Sequence, residues 1–125
     1  MAITLGAITA LSTAARNALA DAFDTLANTG ATAPHLIVQT SGGGSTLIDF
    51  TLDGTASFGV ASTGVITLDV SPAVQNTAAN SGAPGQYVIT DSDGATILTG
   101  TASGDSVVSG NTYQISSFTL TMPAS

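Results

Sequence analysis

The sequence predicts a mainly β fold with one N-terminal α-helix, an antiparallel β-sandwich or barrel with the helix packed on it. Three observations predict it. Only the stretch LSTAARNALADAFDTLANTG, residues 11–30, places apolar side chains at the three- and four-residue steps of a helix. From His35 onward the chain breaks into short segments that alternate or run apolar, as strands do. Turn-forming clusters, SGGGS, STG, DSDG and SGN, separate those segments. The 125 residues suffice for a single domain, 1–125, and show no internal repeat.

Residues 1–10 form an arm or a short lead-in strand. The helix is expected over 12–29. Ser12 is placed to cap it, its hydroxyl accepting from a free first-turn amide, and Gly30 to stop it. Leu11, Ala15, Ala18, Leu19, Ala22, Phe23 and Leu26 share one face, and Thr13, Arg16, Asn17, Asp21, Asp24 and Asn28 the other. The apolar stripe should dock on a sheet. Leu19, Phe23 and Leu26 would anchor it at roughly 1.5–3 kcal/mol each if fully buried.

The β region is expected over 35–122. In HLIVQT (35–40) Leu36, Ile37 and Val38 suggest a strand covered on both sides, the helix lying on one. Residues 46–53 alternate, with Ile48, Phe50 and Leu52 inward and Asp49, Thr51 and Asp53 outward, so the two strands form a hairpin about the triple glycine. Residues 57–61 and 65–70 make a second hairpin about Ser62-Thr63-Gly64, with Ile66, Leu68 and Val70 inward, and Pro72 ends it. Residues 73–84 (AVQNTAANSGAP) lack periodicity and read as an exposed loop suited to contacts.

The strongest turn signal is Asp91-Ser92-Asp93-Gly94, between strands at 85–90 and 95–101. Aspartate side chains there bond forward to backbone amides, and Gly94 takes the positive-φ position. Ser109-Gly110-Asn111 is a further turn. In 112–122 the inward phase flips at Ser116-Ser117, from Tyr113 and Ile115 to Phe118, Leu120 and Met122, which predicts a bulge or a crossing between sheets.

The charge content is unusual. Eight aspartates, Arg16, no lysine and no glutamate give a net charge of −7, with only 7% of residues charged. Ordinary domains carry about 25%. One cation cannot offset a phosphate backbone, so nucleic-acid binding is excluded as an expectation. A neutral Thr, Ser, Asn, Gly and Ala exterior suits broad protein contact, because little charge must be desolvated; it also suits a plain β surface with no large interface. No signal peptide and no membrane span are expected, since the N-terminus lacks a basic region and Arg16, Asp21 and Asp24 interrupt the apolar run.

Catalytic and ligand-binding chemistry is sparse. With no cysteine, thiolate sites and disulfides are excluded. His35 is the only histidine and has no local partner. No nucleophile elbow, phosphate loop or dinucleotide fingerprint occurs. Asp91 and Asp93 miss the calcium-loop spacing, so they are expected to shape a turn and hold no metal. Asp49 and Asp69 could pair only if their strands adjoin. No cofactor is expected. Arg16 lies in the first helical turn and Asp24 near the end, each against the helix dipole. Either both are solvated, or Arg16 meets a carboxylate across an interface.

Three segments carry a resemblance. RNALADAFDTLANTG, YVITDSDGATILTG and SGNTYQISSFTLTMPAS, in that order, resemble segments of a group of small tailed-bacteriophage virion proteins, with 41–84 matching less clearly. Members are head-decoration, cement or tail-associated components, so the resemblance implies a non-enzymatic structural protein with no catalytic residues. The implied place is the virion, on the capsid exterior, bound to the major capsid protein or other virion proteins. A homo-oligomer is expected, with a trimer favoured because the resemblance places it at three-fold axes. Candidate contact residues are Arg16, Gln75, Asn76 and Asn80, together with the arm and the Thr/Ser-rich strand faces. The alternatives are a tail, neck or fibre-associated subunit and, from another class, a small carbohydrate-binding β module, which needs an exposed aromatic platform.

Overall fold

The computed structural model describes residues 2–5, 10–28, 33–52, 58–59, 61–68 and 74–122. Among the described residues there are one α-helix, α1 (Thr13–Ala27), and eight strands: β1 (His35–Gln39), β2 (Thr46–Thr51), β3 (Val65–Thr67), β4 (Val74–Thr77), β5 (Gln86–Thr90), β6 (Thr96–Thr101), β7 (Thr112–Ile115) and β8 (Thr119–Thr121). The fold is mainly β with one N-terminal helix, as expected, and every strand pairing is antiparallel.

One sheet has four strands in the order β2-β1-β5-β6, and two smaller sheets pair β3 with β8 and β4 with β7. Alternation sets the large sheet's inner face: Leu36, Ile48, Phe50 and Ile89 are buried. Phe50 lies opposite Leu36, and Leu36 opposite Ile89. In the same core cluster are Ile66 and Leu68 from the β3 hairpin, with Phe118, which leads into β8, and Leu120 of β8 packed against it. An aromatic chain crosses the layers. Phe23 of α1 meets Phe58 edge-on at 5.7 Å, Phe58 lies 6.4 Å from Phe118, and Phe118 meets Tyr87 edge-on at 5.6 Å.

The turns form as their residues dictate. The chain between β1 and β2 makes one 3-10 turn, Ser41–Gly43. At Ser62-Thr63-Gly64-Val65 the outer two residues exchange both backbone hydrogen bonds at 2.9 Å, and Thr63 and Gly64 take φ of +50° and +77°. Two successive positive φ values are what a two-residue hairpin requires. In the DSDG turn, Asp91 Oδ1 accepts from the amides of Asp93 at 3.0 Å and Ala95 at 2.9 Å. The phase flip at Ser116-Ser117 is a crossing between sheets: β7 before it pairs with β4, and β8 after it pairs with β3.

Three expectations need correction. Residues 73–84 are not all loop, because 74–77 form β4, held by four register pairs to β7. That partner lies 35–41 positions further along the chain, and no local pattern points to it. Among the described residues the helix packs on β3 and on residues 58–59 and 61–64 rather than on β1. The largest correction concerns which helix face turns inward. Ala20 and Ala27 are buried, but Leu19 is 50% and Leu26 47% exposed, so those two leucines do not anchor the docking. Phe23 does, as the half-buried partner of Phe58. The Ser12 cap forms as expected, its hydroxyl accepting from Ala15 N at 3.1 Å. The expected stop at Gly30, the inward Val70, the outward Asp53, the ending at Pro72 and a pairing of Asp69 with Asp49 fall outside the described residues. Among the described residues of 1–10 there is no strand.

Candidate interaction surface

The helix is turned so that its polar face meets the sheet. Asn17, Asp21 and Asp24 stand at steps of four and three, on one side of α1. Beneath them run residues 58–59 and 61–64, whose backbone amides need acceptors. Asn17 Oδ1 accepts from Gly64 N at 2.6 Å, Asp21 Oδ1 from Ala61 N at 3.1 Å, and Asp24 Oδ1 from Phe58 N at 3.2 Å. The docking is thus a ladder of side-chain acceptors on backbone donors. Each hydrogen bond contributes on the order of 0.5–1.5 kcal/mol, more with an ionised acceptor.

Arg16 belongs to this inner side. Its side chain packs over Gly64, and its Nε is buried without a hydrogen-bond partner. It makes no ion pair among the described residues; the one pair there is His35 with Asp49. Arg16 as a whole residue is half-buried. Asp24 is half-buried as well. Desolvation raises its carboxyl above the ordinary value, the bonds from the Phe58 amide and the Asn28 side chain lower it by less, and the nearby Asp21 charge adds to the rise.

With the polar side committed inward, the apolar side faces out. Ala14, Ala18, Leu19, Ala22 and Leu26 are exposed and Ala15 is half-exposed. The exposed Asp21 borders this set on the Ala14 side, away from Leu19 and Leu26. Ile3 and Leu5 of the N-terminal segment are 83% and 87% exposed. Contiguous exposed apolar surface rimmed by polar groups marks contact sites.

The other expected contact residues are largely occupied within the chain. Asn76 Nδ2 donates to Asp49 O at 2.7 Å, and its Oδ1 accepts from Thr77 N at 2.8 Å. Asn80 Nδ2 donates to Thr46 O at 2.8 Å, and Ala79 N to Leu47 O at 2.9 Å. Residues 76–80 therefore cover the outer edge of β2, which protects it from pairing with another chain. Asn76 and Asn80 are exposed, yet their amides are edge staples. Gln75 is exposed on β4 opposite Gln114. The structure does not bring Arg16 together with these three.

His35 has a partner after all. Its Nδ1 lies 2.6 Å from Asp49 Oδ1 across the β1–β2 pair. The sequence signal was available, since the β1–β2 hairpin and its alternation place both on one face, but the register was needed to align them. Among the described residues no hydroxyl is hydrogen-bonded to the other ring nitrogen, and no group of three metal-ligating side chains occurs. Of the six aromatic residues, Phe50 and Phe58 are buried and Phe23, Tyr87, Tyr113 and Phe118 are half-buried. No helix is long and apolar enough to cross a membrane among the described residues. No protein-family model, curated protein or solved structure matches the chain.

Asp24 provides a test of the ladder. Because its carboxyl is raised in the fold, the folded chain holds that proton more readily than the unfolded one. Its contribution to stability is therefore present at acid pH and is lost as pH rises through the folded value. Asp24→Asn keeps an acceptor for Phe58 N and removes the desolvated charge, so it should be at least as stable as the parent at pH 7. Asp24→Ala leaves the amide unpaired and should cost about 1–3 kcal/mol. Melting curves of the three proteins from pH 3 to pH 7 check this, and the reverse order at pH 7 would refute it.

Proposed function

We propose that this chain is a non-enzymatic structural subunit of a tailed-bacteriophage particle. It acts as a capsid decoration or cement protein that sits outside the shell, contacts the major capsid protein and assembles as a homo-oligomer. The observation that carries the reading is the orientation of α1. A helix whose polar side is spent on internal amides, leaving Leu19 and Leu26 outward, is built for a partner. The ordered resemblance of three segments supplies the kind of assembly. The charge supports an outer position, since net −7 is repelled by packaged DNA and is harmless outside.

Imaging of particles made with an affinity-labelled copy of the protein tests this. The expected result is label distributed over the shell at regular copy number. Label confined to the tail would replace the decoration role with a tail role, and particles without label would overturn the reading. Arg16 remains the candidate for a contact through its guanidinium. Arg16→Ala should lower the copy number retained after a salt or heat challenge, and equal retention would remove Arg16 from the contact.

A further inference from the structure

We propose that the outer face of α1 is the seam of a two-fold, antiparallel helix pair with a second copy of this chain. The proposal rests on the reading of this face as a contact surface and is independent of where the assembly resides. The face carries Ala15, Leu19, Ala22 and Leu26, at steps of four, three and four, the spacing of a coiled-coil seam. The residues alternate small and large in a self-complementary order. Placed antiparallel about a point midway between Ala20 and Asp21, Leu19 of one copy falls opposite Ala22 of the other. In the same register Leu26 falls opposite Ala15. Every leucine then meets an alanine, so the axes can approach to about 8–10 Å with large packed on small.

Charge permits the same partner. All eight aspartates lie at or beyond residue 21, and residues 1–20 hold only Arg16. The outer face of α1 is thus a surface by which two chains of net charge −7 can meet without placing carboxylate against carboxylate. Asp24 is half-buried with its carboxylate on the Phe58 amide, and Asp21, though exposed, is turned away from the seam by its bond to the Ala61 amide. Antiparallel alignment also sets each helix dipole against its opposite.

Size sets the strength. A 15-residue helix is about 22 Å long. A seam of that length buries less than the ~1,200 Å² of a stable interface. Pairing is therefore weak for dilute protein and grows where copies are held close together. A two-fold seam joins one copy to one other, so a three-fold grouping must use a different surface.

The natural absence of cysteine makes the register testable by oxidative cross-linking. Leu19→Cys and Ala22→Cys chains, distinguished by tag length and oxidised together at high concentration, should give a mixed dimer as the dominant product. Leu26→Cys alone should not cross-link, because its two copies lie about 16 Å apart along the seam, beyond disulfide reach. Leu19→Asp should melt like the parent, yet remain monomeric in a sedimentation series where the parent associates. Efficient Leu26→Cys self-linking would overturn the antiparallel register. A parent that stays monomeric at millimolar concentration, or an Ile3→Cys/Leu19→Cys chain that links within itself, would overturn the second copy as occupant. Such a monomer could still be found on particles, and a pairing protein could be absent from them, so the two readings fail separately.

Discussion

Ile66→Ala should lower the unfolding free energy by about 2–5 kcal/mol, the range for deleting a large aliphatic side chain from a packed core. Ile66 is fully buried in the middle of β3, opposite Leu120 of β8. It belongs to the buried cluster that also holds Phe50, Leu68 and Ile89, with Leu120 packed against it. Thr67, the next residue, points outward and is exposed. Thr67→Ala should change stability by less than about 0.5 kcal/mol. Urea denaturation of the two variants decides the matter. A small effect at Ile66 would mean that the β3–β8 pair is not part of the cooperative core.

Gly64→Val is expected to be similarly damaging, for a different reason. Gly64 has φ +77°, and a Cβ there would lie 2.9 Å from Arg16 Cβ on the helix above. A left-handed conformation costs a side-chain-bearing residue roughly 1–2 kcal/mol, and forcing atoms into a filled site adds about 1–3 kcal/mol. The same residue donates its amide to Asn17 Oδ1 at 2.6 Å and accepts from Met122 N at 2.7 Å. The substitution thus pushes the helix off its own anchor. Asn17→Ala removes only the acceptor and should cost about 1–3 kcal/mol. If Gly64→Val unfolds at the same denaturant concentration as the parent, the helix is not clamped at this turn. If it unfolds early, the outer face of α1 loses its fixed position, and the cross-linking pattern expected of the two-fold pair should blur with it.

Much of the fold was legible from local chemistry. Alternation in 46–52 placed Ile48, Phe50 and Leu52 inward, because a strand's side chains must alternate. The DSDG turn was readable from Asp91 and Gly94, since both act within a few residues of themselves. The phase change at Ser116-Ser117 marked the crossing between sheets, because a strand cannot change its inward face without a break. The extent of α1 followed from its periodicity and from the Ser12 cap. What the tertiary structure alone decided was the use of the helix. A helical pattern tells which residues share a side, not which side faces in. The inference that apolar goes inward assumes that burial of carbon is the largest demand at the docking surface. Here the backbone brings the amides of Phe58, Ala61 and Gly64, which must find acceptors, and Asp24, Asp21 and Asn17 supply them across separations of 34, 40 and 47 residues. An unpaired buried amide costs as much as a hydrogen bond is worth. The polar side therefore went in and Leu19 and Leu26 were left out, a choice made by backbone donors that no reading of residues 11–30 by themselves could reveal.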